Sequence, residues 1–215
     1  MTATANPQAD TASLDGRMLR DAFGTFPSGV VAVAGRVGGR LVGIAASSFT
    51  SISLEPPLVS FSVARTSNTW PALRDAGEVG VSVLADHHDM LCRQLAGPAD
   101  QRFDDLALRT SPGGAVLLDE AVATFTCALQ QEVDAGDHLI VLLQVLGVQA
   151  ESDRPPLVFH RSGFQRLHRE DLDPSRLHGR LNGEAVAGGE HADGGVAGSD
   201  PAAPDPKEAD DRDAA

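Results

Sequence analysis

Residues 43–57 read Gly-Ile-Ala-Ala-Ser-Ser-Phe-Thr-Ser-Ile-Ser-Leu-Glu-Pro-Pro, which places four serines and a threonine in the seven positions 47–53, directly behind an apolar run. Small hydroxyl residues let a flat ligand come close to the backbone and supply donors and acceptors along its edge. Pro56 and Pro57 hold the exit extended. A Ser/Thr-rich surface turn has the same composition, although such a turn has no need of two adjacent prolines followed by a buried strand. Upstream, 30–37 reads as a strand, Gly38-Gly39 as a tight hairpin and 40–46 as the return strand. Downstream, 58–64 is a further short apolar strand.

The same alternation continues outward. Strands are expected at 80–85, 124–132, 138–149, 157–160 and 164–167, with turns at Asp134-Ala135-Gly136-Asp137 and Arg161-Ser162-Gly163. Helices are expected at 16–26, where Met18, Leu19, Ala22, Phe23 and Phe26 follow a helical spacing, at 68–75 with Pro71 near its first turn, and at 86–95. Many short, mostly antiparallel strands with helices only in the connections predict a mainly β protein, a barrel with helical decoration. No GxGxxG follows a first strand, so a Rossmann domain is not expected.

The 215 residues hold 42% apolar side chains, enough for one globular core. The formal net charge is −13, yet residues 171–215 alone carry eleven Asp/Glu against four Lys/Arg, so more than half of the excess lies there. No basic stripe remains to recruit nucleic acid or an anionic membrane. Residues 1–14 read as a flexible polar arm and 15–170 as the folded domain. Residues 171–215, rich in Gly, Ala, Asp and Pro, read as a disordered acidic tail with too little apolar surface to offset ordering entropy. The N-terminal residues lack the apolar core of a signal peptide, and no apolar run reaches bilayer length, so a cytoplasmic protein is expected. Cys92 and Cys127 lack CxxC spacing and read as buried reduced thiols.

Two further stretches suggest chemistry. Arg65-Thr66-Ser67-Asn68-Thr69-Trp70 puts a cation ahead of hydroxyl and amide residues that open a helix, a composition suited to a phosphate and equally to an ordinary N-cap. Gly136-Asp137-His138 sits between two long strands, where Asp137 could orient His138 toward a ligand or merely form a polar turn. The other six histidines show no metal spacing, and no metal is expected; on a helix the adjacent His87 and His88 would point about 100° apart. No GxSxG and no assignable Ser/His/Asp set supports a hydrolase.

In order along the chain, Phe-Pro-Ser-Gly-Val (26–30), the 43–57 stretch, Arg-Thr-Ser-Asn-Thr (65–69), Arg-Phe (102–103), Gly-Asp-His (136–138) and Gly-Phe (163–164) resemble the flavin reductase-like family over about residues 16–168. The resemblance implies an FMN-binding split barrel, a Greek-key-like antiparallel barrel with short connecting helices. It implies hydride transfer from NADH or NADPH to FMN or FAD and a homodimer with flavin sites near the subunit interface. Many members are reductase components of two-component flavin monooxygenases, so a monooxygenase partner is implied too. The alternatives on the same barrel are an enzyme with tightly bound FMN acting on another small molecule and a non-catalytic flavin-binding redox sensor. Position by position, the family pattern implies that Ala45, Ala46, Ser47 and Ser48 line the isoalloxazine edge, with Ser53 and Pro56 shaping the same pocket. Arg65 and Ser67 resemble the phosphate and ribityl contacts, and Phe103 and Phe164 the aromatics near the flavin and barrel mouth. His138 resembles the histidine placed by the nicotinamide. Where this chain has Ala45 the family often has threonine, so one hydroxyl is lost.

Overall fold

The computed structural model describes residues 14–151 and 153–167; most of the expected N-terminal arm and all of the expected acidic tail lie outside these. Seven strands form one antiparallel sheet. In chain order they are β2 (Val31–Val37), β3 (Arg40–Ala46), β4 (Thr50–Leu54), β5 (Pro57–Ala64), β6 (Val79–Val83), β9 (Ala123–Ala135) and β10 (His138–Ala150). Their spatial order is β3-β2-β6-β9-β10-β5-β4, so the consecutive strands β3 and β4 stand at opposite edges. In a flat sheet those edges would be about 29 Å apart, six spacings of about 4.8 Å. Residues 47–49 join them, a link that reaches about 14 Å at most. The sheet must therefore curl until its edges meet, and it closes as a split barrel. Ser48 marks the seam: its Oγ accepts the Ser62 N–H at 2.8 Å and donates to the Ser62 carbonyl at 3.1 Å, replacing ladder bonds between the end of β3 and β5.

Alternate residues of each strand point inward and fill the barrel, among them Val31 and Val33, Phe61 and Val63, Val79 and Val81, and Val141 and Leu143. Trp70 closes one side, its ring edge-on to Phe61 at 5.4 Å. A second cluster forms outside the barrel, where Val30 and Ala32 meet Leu84, Cys92, Leu95, Leu118 and Leu157. β2 is thus buried on both faces, which explains its unbroken apolar run. Covering this outer face are α3 (Asp89–Leu95), the β7–β8 hairpin (Leu108–Thr110, Val116–Leu118) and a three-stranded sheet of β1 (Ser28–Gly29), β11 (Leu157–His160) and β12 (Gly163–Arg166).

Several expectations need correction. The 47–53 stretch is not all turn: Thr50–Leu54 is an edge strand, hidden in the sequence because its exposed face carries both hydroxyl and apolar residues. The expected helix 68–75 shortens to α2 (Trp70–Leu73), because Ser67 Oγ accepts the Thr69 and Trp70 N–H groups and fixes its start. The helix expected at 86–95 begins at Asp89, since the segment before it bonds elsewhere, Asp86 N–H to the Pro155 carbonyl and His88 N–H to the Ala85 carbonyl. The first helix, α1 (Gly16–Phe23), ends three residues early and buries none of its side chains. Strands β7 and β8, three residues each, carry too little pattern to be read from sequence.

Candidate functional site

The outer face of β3 holds a cavity of about 270 Å³ lined by Ala45, Ala46 and Ser47, by Cys92, Arg93 and Ala96 of the α3 region, and by Phe159 and Phe164 of the β11–β12 hairpin. Four of the expected ligand residues thus converge on one place. Phe159 and Phe164 pack with centroids 5.6 Å apart, and the Arg93 guanidinium lies 5.3 Å above the Phe164 ring, a cation–π contact that fixes one wall. Sequence reading missed Arg93 and Phe159. They reach the site from segments remote in sequence, and no local motif marks them.

β3 is hydrogen-bonded to a ladder partner on one side only. The Gly43 carbonyl points to the free side, where it accepts from Arg102 Nη1 at 2.8 Å. By the two-residue period of a strand, Ala45 presents its N–H and C=O groups to the same side. Small side chains leave this edge approachable. A flavin's pyrimidine edge alternates acceptors and a donor, and its fused rings are flat and apolar. An aromatic-walled cavity beside a free backbone edge fits such a group. The side chains of Ala45 and Ala46 offer no hydrogen bond, so the polar recognition falls to the main chain and to Ser47.

The other expected residues lie nearby or elsewhere. Ser48 holds the barrel seam. Phe103 packs in the outer cluster with Ala45 and Phe164, and its Cζ would stand 2.7 Å from a Cβ on Gly43; the glycine is what admits the ring against β3. Arg65 is clasped by the β9–β10 hairpin, with Nε on the Gly136 carbonyl at 2.9 Å and Nη2 on Asp134 at 2.5 Å. Ser67 caps α2. His138 opens β10 opposite Ala64, two register steps from the pair Ile140–Ser62, and so shares the barrel end where Ser48 closes the seam. Its Nδ1 lies 2.7 Å from Asp137 Oδ1, and this hydrogen bond, aided by the imidazole charge, holds the Asp137 carboxyl below its usual range. Ser53 and Pro56 stand at the opposite end of β5, outside the cavity lining, because Ser53 pairs with Leu58 and Pro56 belongs to the β4–β5 turn.

The two cysteines are free and buried. Burial pushes the Cys127 thiol up to about 12 and raises that of Cys92. The His87 and His88 rings are not splayed by a helix: their centroids are 4.1 Å apart, and donor atoms of both lie within 4.8 Å of one from Glu120. His88 Nδ1 accepts the Ala85 N–H at 3.1 Å, so the neutral ring carries its proton on Nε2. A metal on Nε2 would drive that proton to Nδ1, facing another N–H, so the cluster is chemically unsuited to one.

Comparison with known proteins converges on this geometry. A flavin reductase like domain model matches residues 23–168. A flavin reductase of Pseudomonas putida is 37% identical over 153 residues, covering 71% of this chain and 90% of the relative. The reductase subunit HsaB of a flavin-dependent monooxygenase from Rhodococcus jostii is 30% identical, over 76% of this chain and 84% of the relative. The NADH:FAD oxidoreductase SgcE6 of Streptomyces globisporus C-1027, solved with NAD and FAD fragments, superposes with a TM-score of 0.68 at 33% identity, over 72% of this chain and 93% of that one. With the family model matching residues 23–168 and relatives at that identity and coverage, the chain belongs to the flavin reductase-like family.

Proposed function

We propose that the protein is an NAD(P)H:flavin oxidoreductase that supplies reduced flavin to a partner monooxygenase, with the isoalloxazine seated in the cavity of Ala45, Ala46, Ser47 and Phe164. The carrying observation is that cavity, aromatic-walled and set against a free strand edge. A flavin held by this lining would supply the redox chemistry as hydride acceptor from a nicotinamide. The protein's part is to hold the two rings in register and to exclude water. Ala45 orients the flavin edge through its main-chain groups with Ser47 beside it in the cavity lining, while Phe164, pinned by Arg93, forms the opposite wall. Ser48 keeps the neighbouring seam closed.

Arg65, beside the start of α2, is assigned to the flavin phosphate through Nη1, the nitrogen that the hairpin leaves over, with Ser67 next to it. His138 is assigned to the nicotinamide, its ring oriented by Asp137. Hydride transfer needs no protein base, so the part assigned to His138 is to position the nicotinamide. The exposed apolar residues Ile52 and Leu54 on β4 and Leu146 and Val148 on β10 flank β5 and support a homodimer that covers them. A partner copy is also the means by which Ser53 and Pro56 reach a flavin. None of the described helices is long and apolar enough to cross a membrane, in keeping with a cytoplasmic enzyme.

Steady-state NADH oxidation with FMN or FAD, with flavin affinity measured by calorimetry, tests the reading. His138→Ala is expected to raise the KM for the nicotinamide about tenfold with flavin affinity kept. Wild-type protein that binds neither flavin would end the assignment, whereas unchanged kinetics in the variant would remove only His138.

A further inference from the structure

Arg93 carries a charge that the fold leaves unanswered. It sits in the last turn of α3, and Asp89 stands four residues before it, the spacing and order in which an acid and a base pair best on a helix. The two do not pair. Among the described residues the Arg93 guanidinium enters no salt bridge and no hydrogen bond, and it lies instead over the Phe164 ring, 5.3 Å from the centroid. An aromatic face holds a cation in place without cancelling its charge. Arg102, which lines a second cavity of about 640 Å³ further along β3, shows the contrast. Its Nε donates to the Gly97 carbonyl at 2.9 Å, and its Nη1 to the Gly43 carbonyl and to Thr69 Oγ1, both at 2.8 Å.

Among the described residues Arg93 is also the one charged group in the lining of the cavity on β3. Alanines, two serines, a buried thiol and two phenyl rings make up most of the rest. In the open cavity Arg93 is exposed, so water screens it. A flat ring laid against Phe159 and Phe164 displaces that water. Covering an unpaired cation is costly unless the ligand brings negative charge to the same place. Once water is excluded, such a charge pair also attracts more strongly than in bulk solvent.

The two redox states of an isoalloxazine differ in this respect. The oxidised ring is neutral. A hydride carries two electrons and one proton, so its transfer leaves the nicotinamide cationic and the ring with one negative charge, spread over N1 and the C2 carbonyl oxygen of the pyrimidine edge. That edge is the one assigned above to the Ala45 main chain, in the same cavity as Arg93.

We propose that Arg93 makes the cavity on β3 selective for the reduced, anionic flavin ring over the oxidised one. The proposal rests on the flavin-reductase reading. Such selectivity adds driving force to reduction and slows escape of the reduced product.

Arg93→Met keeps an unbranched stem beside Phe164 and removes the charge, while Arg93→Lys keeps the charge. The side chain is exposed, so both variants are expected to fold. Equilibrium dialysis under anaerobic conditions measures the affinity for FMN and for riboflavin, each oxidised or reduced with dithionite. Arg93→Met is expected to bind the reduced ring about tenfold more weakly than wild type and the oxidised ring within about twofold, with the same split for riboflavin and FMN. Arg93→Lys should restore reduced-ring affinity to within about threefold of wild type. A tenfold change in that ratio lowers the midpoint potential of bound FMN by about 30 mV, measurable against a redox dye. Equal losses for the two redox states would show that Arg93 only braces the Phe164 wall, and they overturn the proposal. A loss with FMN that is absent with riboflavin assigns Arg93 to the phosphate and overturns it too, as does Arg93→Lys binding the reduced ring no better than Arg93→Met. A wild type that binds flavin in neither state overturns the underlying reading instead.

Discussion

Acid should weaken this protein through one identifiable histidine. His88 is 7% exposed, and burial, with His87 close by, lowers its pKa from 6.5 to about 4. Arg154 also lowers it, while Glu120 and Asp86 pull the other way without prevailing. The folded pKa is depressed, so the fold favours the neutral ring. In the unfolded chain the ring titrates near 6.5. As pH falls below that value the unfolded state binds a proton that the folded state refuses, and stability drops until the pH reaches about 4. The full difference of two and a half pKa units corresponds to about 3 kcal/mol. Between about pH 7 and about pH 5 the share lost is about 2 kcal/mol, a large fraction of a typical domain stability of about 5–15 kcal/mol. The loss should reach the candidate site, because the His88 carbonyl accepts the Cys92 N–H at 2.8 Å and α3 carries Cys92 and Arg93 into the wall of the cavity on β3. His88→Asn supplies an amide oxygen in place of Nδ1, an acceptor suited to capping, and cannot titrate. Urea unfolding of wild type and variant across this range is the assay. The wild-type curve should fall about 2 kcal/mol further than the variant curve; parallel curves would refute the account.

Two other substitutions test the packing around β3. Gly43→Ala places a Cβ 2.7 Å from Phe103 Cζ and 2.8 Å from both the Ala34 Cβ and the Val33 carbonyl. The phenyl ring can move but the neighbouring strand cannot, so a loss of about 1–3 kcal/mol is expected in urea unfolding, along with weaker flavin binding by calorimetry. Ser48→Ala removes both bonds to Ser62 and should cost about 1–2 kcal/mol, with faster amide hydrogen exchange at Ser62; protection equal to wild type would show that the seam closes without the hydroxyl.

Local chemistry left clear marks in the sequence. Gly38 and Gly39 both adopt positive φ, +56° and +81°, as an antiparallel two-residue hairpin requires, and they make the β2–β3 pair legible. Gly136, at φ +66°, does the same for β9 and β10. The small residues Ala45, Ala46 and Ser47 mark the lining of the cavity on β3, whereas Ser48 turns to the barrel seam. These signals are local because they depend on φ/ψ preference and side-chain size within a few residues.

The sequence alone determined the barrel class, its hairpins and the small-residue edge of the cavity on β3, since each is written in neighbouring residues. Tertiary structure alone decided that Arg93 pins Phe164, that Arg65 is clasped by the β9–β10 turn, that Ser53 and Pro56 lie at the far end of β5, and that a second cavity opens around Arg102. These follow from closure of the sheet, which brings residues dozens of positions apart into contact; no local preference encodes which of them will meet.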